Sequence, residues 1–174
     1  MCLLAVVLAV ACSRAPADTA PSDAAVLQAI TAQAAAYGAP VVRDLERVRA
    51  ATSAFRDITA AQAVGYPTTV PPCLQDSTEG GMGHHYVDRQ RVDDKLEVEH
   101  PEILLYAPLK DGKQKLVAVE YIIPLARWQQ EQPPTFFGQT LRRSEPLQLW
   151  YLHVWAWDQN RAGLFADWNP AIRC

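Results

Sequence analysis

The chain reads as an α+β domain: N-terminal helices packed on an antiparallel sheet, with a C-terminal tail clamped by a disulfide. Three observations predict this. Apolar residues early in the chain recur at three- and four-residue steps, the helical period. Later they alternate at two-residue steps on either side of Lys110-Asp111-Gly112-Lys113, a hairpin signal. Helices first and strands afterwards favour an antiparallel sheet. The third observation is a pair of cysteines, Cys73 and Cys174, left once the N-terminal segment is set aside. The 174 residues suit one domain. A hydrophobic share of 49% supports a core of useful size.

The first element is an address. Met1-Cys2-Leu3-Leu4-Ala5-Val6-Val7-Leu8-Ala9-Val10-Ala11 is apolar but short, since a membrane span takes about 20 residues. It suits the hydrophobic region of a signal peptide. Ala9-Val10-Ala11-Cys12 resembles the lipobox of bacterial lipoproteins, with Ala9 where Leu is usual and no Lys or Arg before the apolar run. Residues 1–11 are therefore expected to be removed and Cys12 lipidated. Residues 12–23, rich in Ser, Ala, Pro and Asp, form a flexible tether. The folded domain, residues 24–174, then faces the periplasm or cell exterior, anchored to a bacterial membrane, or is secreted outright.

Residues 24–37 are Ala-rich and helix-favouring. Gly38 and Pro40 suit the end of that helix and the first turn of the next. Val41, Leu45, Val48, Thr52, Phe55, Ile58 and Gln62 predict one helix of about six turns, ending near Gly65-Tyr66-Pro67. Residues 68–94 look irregular. Residues 103–107 and 115–123 read as paired strands, the second with Leu116, Ala118, Glu120 and Ile122 on one face. Residues 147–157 read as a further strand, with Tyr151, His153, Trp155 and Trp157 on one face. The aromatic, turn-rich tail wraps back over the body. In an oxidising compartment Cys73 and Cys174 form one bridge. Closing a loop of about 100 residues stabilises the fold by about 4–5 kcal/mol in the chain-entropy account.

Three elements put polar groups into apolar or glycine-rich surroundings. His84-His85 follows Gly80-Gly81-Met82-Gly83, where glycine permits close backbone approach or positive φ. Glu120 stands alone on an apolar strand, where a carboxylate is costly unless paired, hydrogen-bonded or metal-bound. His153 lies on an aromatic strand face. Histidines and a carboxylate from separate elements can make a three-ligand metal site with one position open, for zinc or, with soft Met82 nearby in sequence, copper. The bland readings are a pairing of Glu120 with an Arg, such as Arg127 or Arg142, or with a Tyr hydroxyl, a satisfied core His153, and one inert member of His84-His85. His100, before Pro101, reads as a loop residue.

Other chemistries find little support. Net charge is −3, which argues against nucleic acid as a partner. There is no G-x-S-x-G elbow, and the glycines at 80–83 lack the preceding strand of a phosphate-binding fingerprint. Met82-Gly83-His84-His85-Tyr86, Val119-Glu120-Tyr121, Leu152-His153-Val154-Trp155-Ala156-Trp157 and residues 160–174 resemble the motifs of a family of small secreted bacterial (lipo)proteins without an established activity. The resemblance covers roughly residues 50–174; that family's tail has Pro where Arg161 stands. It implies no catalytic residues. Three functions remain in view. The leading one is an extracytoplasmic lipoprotein holding a metal ion or small ligand through His84, His85, Glu120 and His153. The others are an enzyme using the same groups, and an interaction lipoprotein with no chemical site.

Overall fold

A computed structural model describes residues 21–67 and 72–174. The expected signal peptide, the expected lipidation at Cys12 and the expected tether up to residue 20 lie outside the described residues. Ser22 caps the first helix, α1 (Asp23–Ala35), its side chain accepting from the Ala25 amide. The second, α2 (Ala39–Thr52), starts after Gly38 at φ 100° with Pro in its first turn. It buries Val41, Leu45, Val48 and Thr52, the expected stripe.

The six-turn helix is not continuous. After Thr52 the chain tightens into a 3₁₀ turn, Ser53–Arg56, and restarts as α3 (Ile58–Val64). Asp57 causes the restart: its backbone is extended and its carboxylate caps the Thr59 amide. Beyond the break Ala61 is buried, while the expected Gln62 is exposed. Both helices rest on one sheet, so the apolar spacing runs on across an interruption that periodicity cannot register.

The sheet has six strands, all antiparallel to their neighbours: β1 (Leu74–Asp76), β2 (Gly80–Val87), β3 (Ile103–Pro108), β4 (Gln114–Pro124), then β7 (Arg142–Ser144) and β8 (Leu149–Val154). Their spatial order is β1-β2-β3-β4-β8-β7. A separate two-stranded hairpin joins β5 (Thr135–Phe136) to β6 (Gln139–Thr140). Of the stretch expected to be irregular, 68–94, the described residues 72–94 contribute two strands, so it is not one long loop. The glycines serve packing inside the protein. At Gly80, φ is 106° and an added Cβ would meet the Asn169 carbonyl oxygen at 2.2 Å. Gly81 and Asn169 exchange backbone hydrogen bonds there, so the tail pairs directly with β2.

A bulge in β4 corrects the expected face pattern. Leu105 pairs with Ala118 but Tyr106 pairs with Leu116, leaving Val117 as the extra residue. Leu116 joins the helix-side core with Val119 and Tyr121, while Val117, Ala118 and Ile122 pack on the opposite face. The Val117 carbonyl accepts from the Trp157 and Asp158 amides, so the bulge also receives the chain leaving β8. That strand ends at Val154. Trp155 stays on the far face, and Trp157 crosses to the helix side, where its indole donates to Thr52 Oγ1 at 2.9 Å.

The helices cover one face of the sheet with a core that includes Ile30, Leu45, Leu104, Tyr121 and Leu152. The other face carries a smaller cluster, partly covered by the tail through Ile172. The tail is stitched by Asn160 and Asn169, both fully buried, whose amides donate to Trp168 and Gln159 carbonyls. Cys73 and Cys174 form the expected disulfide, with Cα atoms 5.7 Å apart. That bridge fits an oxidising compartment. Among the described residues no helix is long and apolar enough to cross a membrane.

Candidate metal centre

Strand alternation delivers three side chains to the face away from the helices. Consecutive residues of β2 point oppositely, so His85 shares the far side with Val87 and His84 does not. On β4, Glu120 lies between Ala118 and Ile122, beyond the bulge that puts it in register with Ile103. Next door, Glu120 is paired directly with His153 of β8. His85, Glu120 and His153 are 5%, 6% and 2% exposed. One ligand atom from each lies within 4.8 Å of the other two.

The contacts inside this group are close but incomplete. His153 Nε2 stands 3.4 Å from Glu120 Oε1, and His85 Nε2 stands 3.6 Å from Glu120 Oε2. His153 Nε2 is nonetheless buried without a hydrogen-bond partner. Two donors on a tetrahedral ion with bonds of about 2.1 Å stand about 3.4 Å apart. The two histidine–carboxylate distances come near that value, and the three side chains could hold a metal ion. Glu120 pairs with neither Arg127 nor Arg142; its neighbours are the two imidazoles.

The other nitrogen of His153 faces Asp167, with Nδ1 to Oδ1 at 3.4 Å. Arg142 pairs with that same carboxylate, and Tyr151 Oη donates to its Oδ2 at 3.2 Å. A carboxylate behind a ligating histidine fixes the tautomer and turns the free nitrogen toward the ion. Asp167 escapes sequence reasoning because it sits in the tail, 14 residues beyond His153. An acid among the aromatics of a disulfide-held tail is the one signal that marks it. Tyr151, at the same face of β8 as His153, is legible as a neighbour but not as a support.

Electrostatics sort the group. Burial, with His153 and His84 nearby, pushes His85 down to about 3, so it is a neutral donor. Its contact with Glu120 is therefore not an ion pair. Burial raises Glu120 above the usual carboxylate range, against the pull of His153. Burial disfavours the charged form of His153, but Glu120 and Asp167 outweigh it and hold the group up. Burial likewise opposes ionisation of Asp167, and His153 and Arg142 overcome it. A cation belongs at this point, whether a proton or a metal ion.

The three residues line a cleft of about 760 Å³. Its walls are largely apolar, from Met82, Val87, Ile122 and Leu149 to Trp168 of the tail. An ion held by these residues would border the cleft. The sequence-predicted His84 lies outside the converging group, and His100 is exposed.

Compared with known proteins, the chain matches no family model, no curated protein and no solved structure.

Proposed function

We propose that this protein is an exported metal-binding protein whose His85, Glu120 and His153 hold a divalent ion with one open position. The buried, unpartnered His153 Nε2 carries the reading. Asp167 stands at its Nδ1, and Nε2 faces a Glu120 carboxylate oxygen at 3.4 Å with no hydrogen bond between them. A metal ion between the two would satisfy both buried atoms at once. Two imidazoles and a carboxylate suit zinc first and copper second. Anchoring through Cys12 completes the proposal: the disulfide supports an oxidising location, and lipid would tether the domain to a membrane.

The test is metal titration of untagged protein. Zinc binds at one equivalent, and Glu120→Gln or His153→Gln weakens it by more than about a hundredfold, beyond what loss of a supporting group costs. His84→Ala leaves affinity unchanged, because that side chain stands on the other side of β2. Equal loss from His84→Ala, or no stoichiometric metal, contradicts the assignment. For the anchor, Cys12→Ser moves the protein from the membrane fraction to the soluble one.

A further inference from the structure

We infer that the cleft over this centre receives a monoanionic amphiphile, a carboxylate on an apolar chain or ring whose head takes the open position on the ion. The inference rests on the metal reading above and adds the class of ligand.

Charge balance sets the head. Imidazole binds an ion as a neutral donor, so neither His85 nor His153 would add charge to the bound centre. Asp167 is balanced by Arg142. Glu120 supplies one negative charge against two positive on the ion, leaving one uncompensated positive charge in a buried setting. Such a charge is costly in low dielectric until an anion cancels it. Among the described residues Glu120 is the only acidic one lining the cleft, so the balancing anion is taken to come from a ligand. Arg89 and Arg127, both exposed, line the same cleft and favour entry of an anion.

The walls set the body. Leu74, Met82, Val87, Val92, Leu149 and Trp168 remain only half-buried, facing a space the helices do not cover. Leu147 is 66% exposed at its edge. A volume of about 760 Å³ is ample for a ligand well beyond acetate. Apart from the His/Glu/His cluster, Arg89, Arg127, Ser144 and Tyr151, the lining is apolar, so a ligand with a polar head and a largely apolar body fits best. A ligand polar throughout would leave its groups unpaired against these walls.

Calorimetric titration of zinc-loaded protein with decanoate, acetate and 1-decanol separates head from body. Decanoate binds at least about tenfold more tightly than either partial ligand, since each lacks the charge or the buried apolar area. Leu149→Trp and, independently, Val87→Trp fill the cleft; each keeps one equivalent of zinc, which reports an intact fold, and loses decanoate. Zinc binding with no advantage for decanoate, or decanoate binding that survives both tryptophans, overturns this inference alone. Absence of zinc binding overturns the metal reading together with it.

Discussion

Between the imidazole of His153 and the carboxylate of Glu120 lies a 3.4 Å separation that no hydrogen bond fills. Both residues are legible in the sequence, because a lone carboxylate and a lone histidine on apolar strands demand compensation. Choosing His85 over His84 is not, since two adjacent residues on opposite faces look alike until the face is known. Asp167 is invisible for a different reason: its role depends on where the tail lands. Its contribution is measurable. Asp167→Asn should weaken zinc binding about 10–100-fold while leaving the stoichiometry at one, as expected for a group that orients a ligand. A second residue, Glu102, is a buried acid apart from the centre. Burial, with smaller effects of backbone amides, Asp93 and Arg91, pushes it from 4.5 up to about 8. The folded protein thus keeps a proton that the unfolded chain releases across that window. Its stabilising effect is full below the unfolded value and disappears as pH rises through about 8. Glu102→Gln keeps an acceptor for the Ile122 amide, which donates to Oε2 at 3.1 Å. Urea unfolding at pH 5 and pH 8.5 should show the variant gaining on the parent by a few kcal/mol, on the order of 2–4, only at the higher value.

At the scale of elements, α1, α2, the β3–β4 hairpin and β8 follow from periodicity and turn residues. Their deviations share one physical origin, in that tertiary contacts decide where an element stops. The cap at Asp57 splits a helix whose apolar stripe continues. The Val117 bulge moves Leu116 to the other face, because it must accept the Trp157 and Asp158 amides. Strands β1 and β2 are masked by glycine, which has low strand propensity. They pair with each other and β2 with β3, and only the bridge from Gly81 to Asn169 reaches the distant tail. Gly80 is the position where this can be tested. An alanine there would suffer both φ 106° and a 2.2 Å approach to the Asn169 carbonyl oxygen. Gly80→Ala should lower stability by roughly 2–4 kcal/mol in urea unfolding, an effect of strain plus steric displacement. A change within about 0.5 kcal/mol would mean that the tail does not pair with β2 as described.

The whole molecule is asymmetric: helices seal one face of a curled sheet, and the other is left to a tail, a cleft and a His/Glu/His cluster that could hold a metal ion. The α+β class and the clamp are legible from the order of periodicities and the two remaining cysteines. The cleft is not, because it is a property of what fails to cover a surface. Tail and centre are joined mechanically, since Cys174 is bridged to Cys73 and the same tail brings Asp167 to His153. Cys174→Ser should therefore cost about 2–5 kcal/mol of stability and also weaken zinc binding, as a loosened tail holds Asp167 less firmly. The central claim concerns the atoms around the ion, and X-ray absorption at the zinc edge reads them directly. Zinc-loaded protein should show two imidazole shells and one or two oxygens at about 2.0–2.2 Å, with loss of one imidazole in a His85→Gln variant and none in His84→Gln. A six-oxygen hydrated shell, or a spectrum that His85→Gln leaves unchanged, would contradict the account.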